Sequence, residues 1–308
     1  MSALRTVAED YLAIRRTLGF KLMDHGRLVL QFVDYLEDVG ATSITTEQAL
    51  AWLLLRTTAS PFRQRQRLAA VREFARYVQS IDTQTEVPSK ALLPIRLQRR
   101  APYLYSEDEI AQLMAAARSI ESPLHAATFE TLIGLLAVTG MRLGEALGLD
   151  RPDVDLTAQL IVVRCGKFNK PRQVPIHPST TKALRAYSQL RDRLCPRPKC
   201  ASFFVSSRRG RLSQSRVHAA FARLRDQTGL RTTHGSRPPR LHDLRHTFVL
   251  HTLLNWYQAG MDVQGQLPLL STYVGHVDPK STYWYFQAAP ELLALAAERL
   301  EDARESQP

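Results

Sequence analysis

Residues 129–149 read FETLIGLLAVTGMRLGEALGL, and this stretch limits the fold more than any other. It is a strongly apolar helical region, and a helix that apolar belongs inside a core. The hydrophobic run breaks at Thr139-Gly140 and resumes after Arg142. Arg142 is thereby set inside an apolar stretch, where an unpaired guanidinium is costly. Either an acid neutralises it, and Glu145 stands three residues on, or it waits for an anionic ligand.

The chain has 308 residues, 44% hydrophobic and 23% charged, which is long enough for two domains with separate cores. Lys and Arg number 41 against 29 Asp and Glu, a formal net charge of +12. Such an excess points to a polyanionic partner, nucleic acid first and an anionic membrane surface second. No run approaches the roughly 18 uninterrupted apolar residues of a membrane span. The N-terminal MSALRTVAEDYLAIRR lacks the apolar centre of a signal peptide. A soluble, cytoplasmic protein associated with the nucleoid is expected. Cys165, Cys195 and Cys200 cannot build a disulfide framework, and CPRPKC has no second ligand pair to complete a zinc tetrahedron, so no metal site is expected.

Leu4, Val7, Tyr11, Ile14 and Leu18 recur at spacings of three and four, which predicts an amphipathic helix ending at Gly19. Leu28, Phe32, Leu36 and Val39 repeat the pattern before Gly40. Thr45 and Gln48 form a T-x-x-Q capping box opening a third helix, and Ser60 with Pro61 opens a fourth that runs to about Ser80. Residues 1–82 are thus expected to be a four-helix unit. Its fourth helix carries Leu68, Val71, Ala75 and Val78 as an apolar stripe, with Arg63, Arg65, Arg67, Arg72 and Arg76 on the remaining surface and Glu73 opposing them. A solvated face would intersperse signs, so these arginines are read as phosphate contacts.

Over residues 83–104 periodicity fades, and Pro88, Pro94 and Pro102 appear among basic residues that include Arg99 and Arg100. This reads as a basic linker lying along the same ligand. A second domain, 105–308, opens on the S-x-x-E capping box of Ser106 and Glu109. Within it QLIVVRC and RQVPIH are β-branched runs joined by GKFNKP, a hairpin whose tip carries Lys167 and Lys170. Helical patterns return at 213–230, at 243–259, and from Pro290 into the tail, where PELLALAAERLEDARE is amphipathic. The fold class is mainly α with a small β-sheet.

Singly, the polar residues of this domain prove little. His242 and Arg245 in LHDLRH lie one helical turn apart and can share a face, although a lone histidine is more often a satisfied core imidazole. Tyr283 and Tyr285 in STYWYF are core aromatics or, in one case, a nucleophile.

The order of the pieces is more informative: TGMRLGEALGL, the GKFNKPRQVPI hairpin, LHDLRHTF, YVGH, and a tyrosine nine residues after that histidine. From about residue 105 to 290 this resembles the tyrosine recombinase family, the phage integrases and Xer-like enzymes. The helical unit before it is similar to the family's SAM-like core-binding domain. The resemblance implies an α+β catalytic domain in which Arg142 and Arg245 are the catalytic arginines, Lys167 the hairpin lysine, His242 and His276 the catalytic histidines, and Tyr285 the nucleophile. Tyr283, seven residues after His276, is left as a packing residue. Phe168 stands where the family commonly has a second glycine, which leaves Lys170 able to share the lysine's role, and the interval from His242 to His276 is longer than in compact members.

The resemblance further implies site-specific cutting and rejoining of double-stranded DNA through a 3′-phosphotyrosyl intermediate. No metal, ATP or other cofactor enters that scheme. Its partners are DNA, a homo-tetramer assembled on two sites from a free monomer or weak oligomer, and accessory recombination proteins. The two domains would clamp the duplex. STYWYF followed by PELL is more similar to integrases and transposases of mobile elements than to housekeeping resolution enzymes, and the tail helix either packs on its own domain or, as the resemblance implies, docks on a neighbouring protomer. Two other readings compete. A non-catalytic accessory DNA binder accounts for the charge but not for a nucleophile among phosphate ligands. A metal-dependent nuclease built on Glu145, Asp150, Asp153 or Asp155 has acids without ligand spacing.

Overall fold

A computed structural model describes residues 3–20, 22–55, 60–93, 102–164, 171–230 and 238–275. The chain divides into two compact units, Met1–Arg100 and Ala101–Pro308.

The first unit is helical: α1 Ala3–Thr17, α2 Met23–Asp38, α3 Thr46–Leu54 and α4 Pro61–Gln79. Both halves of the Thr45–Gln48 capping box form, and Ser60 caps α4 with Pro61 at its first position. Side-chain acceptors for N–H donors that would otherwise be orphaned are what fix these starts. The apolar stripes meet in one core in which Tyr11 packs on Phe74 and Phe32 on Trp52. The stretch read as linker is tied down at both ends. Thr85 is buried and Glu86 donates its backbone N–H to the Ile44 carbonyl at 2.7 Å, so the chain folds back on the first unit as far as Leu93. At the other end Tyr105 is buried in the second unit, its hydroxyl donating to the Arg240 carbonyl and its backbone N–H to the Thr247 hydroxyl.

The second unit contains α5 Glu107–Arg118, α6 Pro123–Thr139, α7 Leu143–Gly148, α8 Pro178–Leu194, α9 Gln214–Gln227, α10 Leu241–Gln258 and α11 Val263–Val274. Strands β1 Val154–Asp155, β2 Leu160–Val163 and β3 Arg172–Pro175 form one antiparallel sheet in sequence order, with Ile161 opposite Val174 and Val163 opposite Arg172. The apolar α6 runs through the middle, packed by α5, α8 and α10. Leu132, Ile133 and Leu136 of α6 share the core with Leu113, Leu244 and Phe204. A smaller cluster joins Val249, Leu250 and Leu253 of α10 to Val263, Leu267, Leu270 and Val274 of α11.

Helix α11 lies within the interval from His242 to His276. Gly265 and the internal Pro268 argue against a helix there, since proline removes one ladder bond. Burial of four apolar residues at helical spacing and capping by the Asp262 carboxylate, which accepts from the Gly265 N–H at 3.1 Å, outweigh that cost.

Candidate active site

The site grows from two helix ends. Helix α6 stops at Gly140, whose left-handed backbone (φ 59°) has no room for a side chain, because a Cβ would come within 2.5 Å of the Phe248 ring. The chain turns there and Arg142 becomes the residue that precedes α7. Helix α11 stops at Gly275, also left-handed (φ 73°).

Three guanidiniums meet the last carbonyls of α11. Arg172 Nε donates to Tyr273 O at 2.8 Å, Arg245 Nη1 to Val274 O at 2.6 Å, and Arg142 Nη2 to Gly275 O at 2.7 Å. These oxygens lack partners within the helix and sit at its negative end, so cations are favoured there. Arg245 Nη1 also donates to Gly140 O at 2.7 Å, tying the end of α6 to the end of α11.

Among the described residues one carboxylate pairs with these cations, and it holds two of the three. Glu145 accepts from Arg142 Nη1 at 2.8 Å, from the Arg142 backbone N–H at 3.0 Å, and from Arg172 through both Nη atoms at 3.0 and 2.8 Å. Burial by itself would raise this carboxyl, but the Arg172 fork, aided by Arg142, holds it below the usual carboxylate range. Three cations against one anion leave an electropositive centre. Arg245 is 3% exposed, whereas the Arg142 side chain keeps 25% of its surface open. Among the described residues two of the five side-chain N–H groups of Arg142 have partners, so it can still serve an external anion.

His242 stands on the exposed side of the first turn of α10, one turn before Arg245. Its imidazole is nevertheless held below its ordinary value, first by partial withdrawal from water and then by the Arg245 cation; Arg240 and Arg142 add to this while Asp243 opposes it. The His246 ring meets it edge to face at 4.9 Å and is itself pushed down to about 4, chiefly by burial. Both rings are therefore neutral near pH 7.

Arg142, Arg245 and His242 are thus brought together. Lys167, Lys170, His276, Tyr283, Tyr285, Arg99, Arg100 and the tail helix lie outside the described residues. On α4, Arg65 and Arg76 are exposed, Arg63 is half-buried and bonded to Gln66, and Arg72 is half-buried with its pKa pulled down by burial and then by Arg76. Arg67 corrects the reading of that face: it is buried, donates to the Trp52 carbonyl at 2.6 Å and lies 3.6 Å from the Trp52 ring centroid. Positions 67, 71, 75 and 78 share one helical stripe, so Arg67 points inward with the apolar residues.

The acids of the nuclease reading already have partners. Glu145 is held as above, Asp150 pairs with Arg211, Asp153 with Arg164, and Asp155 accepts the backbone N–H groups of Thr157 and Ala158. Arg172 is the site residue that motif reading passes over. Strand alternation could have found it, since Arg172 shares a face with the buried Val174.

The sequence profile described as the phage integrase family matches residues 104–291. The Sinorhizobium fredii protein y4rB, named as an integrase/recombinase, is 42% identical over 98% of this chain and 98% of its own length. Tyrosine recombinase XerC of Azotobacter vinelandii is 33% identical over 71% of this chain and 67% of its own. A solved lambda integrase tetramer bound to a Holliday junction shares the fold, with a TM-score of 0.65 at 18% identity over 92% of this chain and 76% of that one. With its profile matched over more than half the chain and y4rB similar across almost all of it, this protein belongs to the phage integrase family of tyrosine recombinases.

Proposed function

We propose that this chain cuts and rejoins double-stranded DNA at specific sites through a 3′-phosphotyrosyl bond to Tyr285, and so integrates, excises or transposes a mobile element. The observation that carries the reading is the convergence of Arg142 and Arg245 on the carbonyls that end α11, just before His276 in sequence, with His242 within the field of both.

A phenol has a pKa near 10 and needs both a proton acceptor and an electropositive phosphate before it attacks. Arg142 and Arg245 hold the non-bridging oxygens and stabilise the extra negative charge at five-coordinate phosphorus. His242, neutral because its pKa is lowered, takes the tyrosine's proton. The Tyr285 oxygen bonds to phosphorus as the P–O5′ bond breaks, and Lys167 protonates the departing 5′ oxygen. His276 donates a hydrogen bond to the phosphate. The ester conserves the energy of the phosphodiester, so attack by a new 5′ hydroxyl restores DNA without ATP.

The remaining basic residues position the duplex. Arg63, Arg65, Arg72 and Arg76 contact phosphates from the first unit, with Arg99, Arg100 and Lys170 adding to them, and these contacts carry no base code. Four copies assemble across two sites, in the manner of the lambda integrase tetramer on its junction.

Covalent capture tests the reading. Wild type, Tyr285→Phe and Tyr283→Phe are expressed in cells carrying the native DNA and purified under denaturing conditions, and the attached DNA is sequenced. DNA retained by wild type and Tyr283→Phe but not by Tyr285→Phe supports the reading and recovers the site. If no variant retains DNA while the native protein binds it, the accessory-binder reading replaces this one.

A further inference from the structure

We infer that Arg172 is a positioning residue for strand cleavage, the joint at which three catalytic elements are held in a single geometry. The inference rests on the function proposed above.

The contacts of Arg172 run in two directions. Through its Nη atoms it forks onto both oxygens of Glu145, and Glu145 in turn holds the backbone and the guanidinium of Arg142. Through Nε it holds Tyr273 O in the last turn of α11. Its own strand, β3, resumes the chain after the segment that carries Lys167. One guanidinium therefore links β3, the start of α7 and the end of α11.

Three further observations show that the joint is built. The Arg172 side chain is 9% exposed and that of Glu145 4%, so neither spends its bonds on water. Gly275 leaves room for it: a Cβ there would sit 2.8 Å from Arg172 Nη1, an atom that Glu145 prevents from moving aside. The Tyr273 hydroxyl donates to the Pro175 carbonyl at 3.2 Å, a second tie between α11 and β3.

Because Arg172 faces Glu145 and a helix carbonyl, its effect on phosphate passes through Arg142 and through the direction in which the chain leaves α11 toward His276. Misplacing such groups by about 1 Å costs on the order of a hundredfold in rate. Lysine at this position keeps the charge but cannot make a fork to Glu145 and a third bond to Tyr273 together.

The test uses a nicked duplex carrying the site recovered by covalent capture, and a second duplex with sulfur replacing the bridging 5′ oxygen, whose departure needs no proton. Affinity, melting temperature and single-turnover cleavage are measured for wild type, Arg172→Ala and Arg172→Lys. The expected result is DNA affinity within about threefold of wild type for both variants, with cleavage of both duplexes slowed about a hundredfold or more by Arg172→Ala. Arg172→Lys recovers less than about tenfold of that loss, and it carries the test if Arg172→Ala does not fold. Cleavage within about threefold of wild type overturns the inference. So does recovery on the sulfur duplex, which would place the effect on the leaving-group proton, or loss of affinity and melting temperature in step with cleavage, which would make Arg172 a folding residue. Absence of a covalent product from wild type itself would instead sink the function proposed above.

Discussion

Arg67 in the first unit and Arg245 in the second are equally buried, at 3% exposure, and each donates to a carbonyl in the last turn of a helix, Trp52 in α3 and Val274 in α11. They differ in their company. Arg67 closes its flat face on the ring of the residue whose carbonyl it caps, so one neighbour supplies both a hydrogen bond and a cation–π contact. Arg245 also reaches Gly140 O, and two more guanidiniums line the adjoining carbonyls and share the Glu145 carboxylate. A buried arginine matched to its own pocket stabilises a seam between helices. Several arginines around too few acids make a place for an anion.

Exchanging each arginine for alanine should separate these roles most sharply in catalysis. Arg245→Ala is expected to slow single-turnover strand cleavage by about a thousandfold, the scale of losing a preorganised donor to developing charge. Arg67→Ala should leave the cleavage rate per folded molecule within about threefold. Equal losses in the two variants would erase the distinction.

Stability should order them the other way. Removing Arg67 forfeits a cation–π contact and leaves a buried carbonyl unserved, a combined cost of about 2–4 kcal/mol. A shift in the urea midpoint of the isolated variant reads this directly. A midpoint unchanged from wild type would mean that Arg67 is not the structural pin that its Trp52 contacts imply.

These two residues also mark what the sequence could and could not disclose. The helices of the first unit were legible from local chemistry, down to both halves of the Thr45–Gln48 box, because caps act within three residues. Arg67 was misread because a count of charges along α4 ignores the partner helix, and Trp52 lies fifteen residues away. In the second unit Arg142, His242 and Arg245 could be picked out by the order of motifs, while the meeting of the two arginines at the end of α11 is a tertiary fact. Arg172 stayed hidden for the same reason: its partners Glu145 and Tyr273 are 27 and 101 positions away, while nearby it looks like one more cation in a basic run. Helix α8 escaped because its buried face is Thr181, Leu184, Tyr187 and Arg191, too polar for an apolar stripe.

DNA affinity should extend the comparison to the exposed arginines of α4. Arg65→Ala and Arg76→Ala are each expected to weaken binding evenly across sequences and to reduce the slope of log affinity against log salt by about 1. Arg67→Ala, corrected for folded fraction, should leave that slope unchanged, because a guanidinium stacked on Trp52 has no phosphate to release. A drop in slope for Arg67→Ala would return it to the DNA face.

The smallest effect concerns protons at the cluster where Arg245 sits. His242 is pulled below its ordinary value, so the acid limb of the cleavage rate should fall below about pH 6.5, where a free imidazole titrates. Its neighbour His246 gives a stability signal of definite sign. The unfolded imidazole takes up its proton near pH 6.5, whereas the folded one does so only at about 4. Between those values the unfolded chain binds more protons, so folding stability is lost as pH falls through that window. His246→Phe keeps the ring and removes the titration, and the gap between its urea midpoints near pH 7 and near pH 5 should be narrower than that of wild type. An equal gap would mean that His246 titrates normally and that the α10 pair is more open to water than the Arg67 seam with which this site is contrasted.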